Sequence, residues 1–233
     1  MKKILWLIFL FVSMAANAQK DVIKFLGIPV DGYKTEMQKK LIGKGFTYNS
    51  LYDFYEGEFN GRDVNVYVVT NNNKVWRIMV CDRYPCDETS IKIRFNNLCR
   101  QFAKNQKYVS TALNENSNFI SDDEDISYEM LVHSKRYEAS YCQVPDSSMI
   151  DTLAVQNRIR KSLLQQYSQE QLENPTDKQR EEMEFIAKRE MITVALEIME
   201  KKTVWFMISE HYGEYYITMY YDNEYNRSDG EDL

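Results

Sequence analysis

The chain has 233 residues, which is long enough for one large domain or two small lobes. Its net charge is −6, and 44% of its residues are hydrophobic. Nucleic acids and anionic membranes repel an acidic surface, so we expect neither as a partner.

The first eighteen residues have the three parts of an export signal. Lys2 and Lys3 give a positive start, residues 4–12 form an apolar run too short to span a membrane, and Ala16-Asn17-Ala18 supplies a small-x-small cleavage site. We therefore expect an exported protein, periplasmic or extracellular after cleavage near Ala18, whose net charge becomes −8 when Lys2 and Lys3 are removed. No later stretch is apolar enough for a transmembrane helix, so we expect no membrane span.

Residues 19–82 are predicted to form a first helix-and-meander unit. Segment 22–30 is read as a short edge strand or an extended entry, followed by a helix over 34–42 and strands over 46–51, 53–59, 64–70 and 74–81. Asn60-Gly61 predicts a type I′ hairpin turn, because both residues tolerate positive φ. The run Asn71-Asn72-Asn73 predicts a three-residue turn, in a register that pairs Val68 with Trp76 on the apolar face.

Residues 83–233 are predicted to form a second such unit that carries a helical insertion at about 146–202. Its pattern gives a helix from 87 to about 105, a strand over 107–111, a hairpin of 126–132 with 137–141, and closing strands over 204–209 and 215–221. Within the insertion, 191–199 fits either helix or strand. The tail from residue 223 is polar and is expected to fray.

The predicted fold class is therefore α+β. An antiparallel β-meander sheet is built from two helix-plus-strands units, with helices on one face and an inserted helical hairpin.

Four cysteines in an exported chain leave three disulfide connectivities open. Cys81–Cys86 could close a short loop, whereas Cys86–Cys99 would span about 20 Å of continuous helix. The predicted strand pattern places Cys142 on the polar sheet face, away from Cys99. Free buried thiols remain the alternative to any bridge.

Catalytic and metal-binding patterns are absent from the sequence. His133 and His211 each lie beside a predicted hairpin turn, and no nucleophile elbow, zinc helix, Walker loop or dinucleotide fingerprint occurs. The acidic run 122–125 lacks the spaced ligands and the glycine of a calcium loop. We expect no cofactor and no metal.

The helix-free face of the predicted sheet is the candidate binding face. Strand alternation places charged side chains and tyrosines on it, where they could contact a partner. Cross-strand ion pairs and the ordinary preference of strands for tyrosine are the alternative explanation. The candidate residues are Tyr67, Arg77, Glu129, Arg136, Glu138, Tyr216 and Tyr220.

Two blocks of the sequence carry a resemblance. One is Phe-Leu-Gly-Ile-Pro-Val-Asp-Gly at 25–32 with the hairpin pair at 59–80, and the other is Val-Trp-Phe at 204–206, Tyr-Tyr-Ile at 215–217 and Tyr-Asp-Asn at 221–223. Both blocks resemble a group of uncharacterised secreted proteins of Gram-negative anaerobes. The repeated helix and meander is similar to the β-lactamase-inhibitor-protein-like architecture, which small outer-membrane assembly lipoproteins share. The resemblance implies a binding role and no catalytic residues.

These expectations combine into one functional hypothesis. The chain is expected to be a non-catalytic binding or interaction protein of the cell envelope, whose partner is an envelope protein, a peptide or a glycan. The alternative is a hydrolase of envelope peptide or glycan that uses two carboxylates as acid and base.

Overall fold

The computed structural model describes residues 20–114 and 118–228. The expected export signal and its cleavage site near Ala18 lie outside the described residues. The chain divides into two compact units. The sheet unit comprises 22–144 and 200–228, and the helical unit comprises 145–199 with residues 20 and 21.

The sheet unit begins with a two-stranded ribbon, β1 (Lys24–Phe25) and β2 (Ile28–Pro29). Its first half then contains α1 (Lys34–Gly43), β3 (Thr47–Asn49), β4 (Phe54–Phe59), β5 (Arg62–Asn71) and β6 (Lys74–Asp82). Its second half contains α2 (Glu88–Lys104), β7 (Tyr108–Ser110), α3 (Ile126–His133), β8 (Glu138–Gln143), β9 (Lys202–His211) and β10 (Glu214–Asn223).

Strands β3 to β10 form one eight-stranded antiparallel sheet in the order β3-β4-β5-β6-β10-β9-β8-β7. The order is symmetric about the central pair of β6 and β10, because in each half a helix precedes four strands that pair in chain order. In the second half, α3 separates β7 from β8, and residues 145–199 separate β8 from β9. The predicted α+β class with a large antiparallel sheet is confirmed.

The first hairpin turn forms as the sequence predicts. Asn60 and Gly61 have φ values of 53° and 71°, and they connect Phe59 to its partner Arg62. Positive φ at both central residues is the signature of a type I′ turn, whose twist matches that of the flanking strands.

The register predicted for β5 and β6 is wrong. The turn contains two residues, Asn72 and Asn73, and Val68 pairs with Ile78 instead of Trp76. A two-residue turn alone would place Arg77 opposite Val68. Trp76 is inserted as a β-bulge, which shifts the pairing by one residue and returns Ile78 to the core face.

The strand predicted over 126–132 is also wrong, because these residues form α3. The Asp125 side chain caps the helix by accepting from the Tyr128 amide at 2.8 Å, and the Glu88 carboxylate accepts from the Ile126 amide at 2.9 Å. Ser134, with φ of 53°, ends the helix in the left-handed conformation. A distant carboxylate and two caps thus outweigh the alternating apolar pattern.

Helices α1, α2 and α3 all bury side chains in one core, on a single face of the sheet. Met37 of α1, Phe95 of α2 and Ile126 of α3 are almost fully buried with the inward residues of the strands. Phe95 and Phe102 both pack against Phe206 of β9, with ring centroids 5.1 and 5.7 Å away. The core therefore lies between these helices and the sheet, and no helix within the described part of the sheet unit lies on the other face.

The helical unit contains a short 3₁₀ helix (Ser147–Met149), α4 (Thr152–Leu164), α5 (Gln169–Glu173) and α6 (Asp177–Glu200). The open alternative at 191–199 is settled as helix. Arg158 of α4 bonds both Glu190 and Glu197 of α6, at 2.9 and 2.7 Å. In the described ranges, no helix combines the length and the apolar character that a membrane crossing requires.

The tail predicted to fray from residue 223 is ordered as far as it is described. Asn223 is fully buried and donates to the Val30 carbonyl at 2.8 Å. Asn226 donates to the Asp31 carboxylate and to the Val75 carbonyl. Two asparagine amides thus hold the end of β10 against the start of the sheet unit.

Candidate binding face

The sheet face opposite α1, α2 and α3 is called the open face below. Successive side chains of a strand point to opposite faces of a sheet. The residues directly before and after a buried core residue therefore lie on the open face, and these core residues are Val66, Ile78, Met219 and Phe206. Its central part carries half-buried side chains from β5, β6, β10 and β9, which are Tyr67, Arg77, Met79, Trp205, Tyr216 and Tyr220.

A buried ion pair lies in the centre of the open face. Arg77 donates through Nε and one terminal nitrogen to the two carboxylate oxygens of Asp222, at 2.6 and 2.7 Å. The Asp222 side chain is only 4% exposed, and it also accepts from the Trp205 indole at 3.0 Å. Because β6 and β10 pair Arg77 directly with Asp222, the backbone register creates this bidentate contact.

Aromatic rings surround the ion pair. The indole of Trp205 stacks on the ring of Tyr220, its partner across β9 and β10, with centroids 4.0 Å apart and planes 17° apart. The Arg77 guanidinium lies 4.3 Å from the centre of the Trp76 ring and 4.7 Å from that of Tyr220. These contacts hold three half-buried aromatic side chains in fixed positions, and we call Trp76, Arg77, Trp205, Tyr220 and Asp222 the central cluster.

A second group of rings extends the open face towards the turn between β3 and β4. Tyr67 packs against Phe54 at 5.4 Å between centroids, and Phe54 stacks on Tyr52 at 6.0 Å. Tyr52 is 66% exposed. Burial raises the pKa values of Tyr67 and Tyr220, so both hydroxyl groups stay neutral in the physiological range.

The structure brings most of the candidate residues to the open face. Tyr67, Arg77, Tyr216 and Tyr220 lie on the adjoining strands β5, β6 and β10. Glu138 lies on the same face near its border, on β8.

Two candidate residues are elsewhere, because the predicted hairpin at 126–141 does not form. Glu129 lies on α3, where its carboxylate contacts the His133 ring at 2.9 Å. Arg136 lies in the loop between α3 and β8 and forms an ion pair with Glu138 at 2.8 Å. Arg136 therefore reaches the border of the open face, whereas Glu129 belongs to the helix side.

Trp76, Trp205 and Asp222 are members of the central cluster that the sequence interpretation missed. Trp205 could have been assigned from alternation, since it lies between the apolar Val204 and Phe206. Trp76 could not have been assigned in this way, because alternation with Ile78 and Val80 places it on the core face, and the bulge moves it to the open face. Asp222 follows Tyr221 in alternation, but its role depends on its pairing with β6.

The acidic run at 122–125 forms a closed loop. The Lys92 ammonium donates to the backbone carbonyls of Asp122 and Glu124, at 2.9 and 2.8 Å. The Glu124 carboxylate accepts from Lys135 and from Tyr137, and these contacts lower its pKa. Within residues 20–114 and 118–228, no group of three His, Cys, Asp or Glu side chains could hold a metal ion.

All four cysteines are described, and all are free thiols. Cys81 lies on the open face, where its sulfur is 3.4 Å from the Thr218 hydroxyl. Cys99 is buried on α2. Burial raises the pKa values of all four thiols, that of Cys99 to about 11, so each is protonated at neutral pH.

A scan against protein-family models, a search of curated proteins and a search of solved structures each found no match to the chain. The resemblance to secreted proteins and to the inhibitor-like architecture therefore stays a prediction.

Proposed function

We propose that this protein is a non-catalytic binding protein of the cell envelope that holds a protein or peptide partner on its open face. The observation that carries the proposal is the central cluster. A buried, bidentate ion pair fixes Arg77 beside three half-buried rings on the face that α1, α2 and α3 leave free.

The chemistry of the central cluster suits a protein surface. Trp, Tyr and Arg are the residue types that most often dominate the binding energy of protein interfaces. Side chains that are already ordered lose little conformational entropy on binding, and each rotamer-rich side chain that must be immobilised costs about 0.5–1.5 kcal/mol. Trp76, Arg77 and Tyr220 are held in place before a partner arrives.

A protein or peptide fits the central cluster better than a glycan does. Sugar rings stack on free aromatic faces, but Trp205 and Tyr220 each use one face on the other, and Arg77 lies against the Trp76 ring. Within the described part of the chain, the Tyr216 hydroxyl has no hydrogen-bond partner, so it is available to a polypeptide. Binding to a glycan alone would contradict this part of the proposal.

The location in the envelope rests on the sequence. Lys2, Lys3 and the Ala16-Asn17-Ala18 site support export. Sequencing the N-terminus of protein purified from the native host tests this directly. A mature chain that starts next to Ala18 supports export, and a chain that retains residues 1–18 contradicts it.

The hydrolase alternative has no observation in its favour. The pKa values of Asp53, Glu124 and Glu190 are lowered, because each carboxylate accepts a hydrogen bond from a lysine or arginine side chain. A general acid needs the opposite shift.

A comparison of two matched double variants tests the proposal. Tyr67→Ser with Tyr216→Ser removes two rings from the open face, whereas Tyr128→Ser with Tyr212→Ser removes two exposed rings elsewhere in the sheet unit. Each purified protein is used to capture partners from an envelope extract, and captured proteins are identified by mass spectrometry. Affinities are then measured with the purified partner.

We expect the wild type and the control variant to capture the same partner, and the open-face variant to bind it at least about tenfold more weakly. Equal binding by both variants would refute the open face as the binding surface. Pelleting with purified peptidoglycan, in place of the extract, tests for a glycan partner.

A further inference from the structure

An open surface pocket of about 180 Å³, called the cavity below, lies between the Asn60-Gly61 turn and helix α2, on the core side of the sheet. Arg62, Asn97 and Gln101 of its lining are exposed to solvent. Most of its lining is polar, and Asp and Glu do not contribute to it. The polar lining residues are Asn60, Arg62, Ser90, Arg94, Asn97 and Gln101.

Arg62 is the unusual member of this lining. It begins β5 on the same side as Val64, so its guanidinium faces α2 instead of the open face. Glu58 and Asp63 pair across β4 and β5, and strand alternation places both carboxylates on the open face. Among the described residues, no carboxylate forms an ion pair with Arg62, although the chain as a whole is acidic.

The other charged groups around the cavity already have partners. Arg94 donates through Nε and one terminal nitrogen to Asp82, at 2.6 and 2.5 Å. Asp82 also accepts from the Ile217 amide at 3.1 Å. Asp87 caps α2 by accepting from the amide and the hydroxyl of Ser90. The charge left without a partner at the cavity is therefore the positive charge of Arg62.

Two side-chain amides present further donors. Asn60 donates to the Gln101 carbonyl oxygen at 2.8 Å, which leaves the Gln101 amino group for another acceptor. Asn97 accepts from Arg100 at 2.7 Å, which leaves its own amino group in the same way. These contacts orient the donors before any ligand binds.

We propose that this cavity binds an oxyanion, a carboxylate or a phosphate, which Arg62 holds with help from the amides of Asn97 and Gln101. A guanidinium binds such groups through charge-assisted hydrogen bonds, which are about twice as strong as neutral ones. The cavity is several times the volume of about 30 Å³ that one liquid water molecule occupies, so it has room for either group.

Titrations with inorganic phosphate and with acetate, at constant ionic strength, test the assignment. Amide NMR signals of 60–62 and 97–101 report on the cavity. The test variant is Arg62→Gln, and the control is Lys104→Gln, which removes the same charge from the last turn of α2. Arg62→Lys, which keeps the charge but loses the planar fork, is a second test variant.

We expect saturable shifts in wild type and in Lys104→Gln with at least one of the two anions. Affinity for that anion should fall at least about tenfold in Arg62→Gln and by less in Arg62→Lys. Saturation by phosphate alone identifies a tetrahedral ligand group, and saturation by acetate alone identifies a carboxylate. Shifts that never saturate, or equal affinities in wild type and Arg62→Gln, would overturn the proposal.

Discussion

Replacing Arg77 by methionine should destabilise the sheet unit strongly. The change keeps much of the apolar stem and removes the guanidinium, so the Asp222 carboxylate loses two hydrogen bonds and the positive charge that neutralises it. Asp222 keeps the bond from Trp205, but its side chain is 4% exposed and cannot be hydrated without local opening. An unpaired charge would then remain buried in the fold.

The size of the effect follows from this burial. Removing one partner of a buried pair costs about 3–5 kcal/mol. Arg77 is itself 21% exposed, so we expect the lower end, about 3 kcal/mol. For a domain of this length, that corresponds to a decrease in Tm of about 6–12 °C. The double variant Arg77→Met with Asp222→Asn buries no charge and should be more stable than Arg77→Met alone, by about 1 kcal/mol or more.

Urea denaturation measures these free energies. Trp76 and Trp205 both contact the ion pair, so tryptophan fluorescence reports on the central cluster and far-UV circular dichroism reports on the whole chain. Arg83→Met is the matched control, because Arg83 pairs with Glu56 at a more exposed site. This substitution should lower the free energy of unfolding by only about 0–1 kcal/mol. If Arg77→Met lowers the free energy of unfolding by no more than Arg83→Met does, the buried ion pair does not have the predicted effect on stability.

Three further predictions test other parts of the structure. Gly57→Ala should destabilise the protein by about 1–3 kcal/mol in denaturant titrations, because a Cβ at this position would lie 2.5 Å from the buried Phe46 ring. Glu124→Gln should lower stability at neutral pH, and urea titrations from pH 6 to pH 3 should show the difference from wild type shrinking. The Lys135 contact lowers the pKa of Glu124, so its stabilisation is complete above about pH 4.3 and is lost as the pH falls through the lower folded value. Cys99, with a pKa of about 11, should react with a thiol reagent at pH 8 only after the protein unfolds.

Each of these predictions has a control or a contradicting result. Gly43→Ala should leave stability unchanged or slightly raised, since nothing lies within 4 Å of the added Cβ. A Glu124→Gln deficit that stays constant down to pH 3 would contradict the assigned pKa direction. Labelling of Cys99 at the same rate in native and unfolded protein would contradict its burial.

Local sequence signals predicted most of the sheet unit. The Asn60-Gly61 turn and the alternation of β5, β9 and β10 are visible in the sequence because they depend on neighbouring residues. The mistaken register of β5 and β6 still placed Ile78 and Val80 on the core face, since the true register differs from it by two residues. It placed Trp76 on the wrong face, because Val75 takes the buried position before the bulge.

The errors had both a distant and a local cause. The apolar run at 126–133 alternates like a strand, and the Glu88 carboxylate that helps to cap it as α3 lies 38 residues earlier. The bulge at Trp76 depends on the length of the preceding turn. The central cluster needs both the bulge and the pairing of Arg77 with Asp222. The sequence therefore indicated Tyr220 and Arg77, but not the two tryptophans or the buried carboxylate.

Hydroxyl-radical footprinting of the complex with a captured partner tests the central claim most directly. Tyrosine and tryptophan side chains are labelled in proportion to their solvent exposure. The labelling rates therefore show which aromatic side chains of the open face a partner covers. We expect Tyr67, Trp76 and Tyr216 to lose labelling when the partner binds, whereas Tyr128 and Tyr212 keep theirs. Protection of Tyr128 and Tyr212 with unchanged labelling of the open face would contradict this expectation.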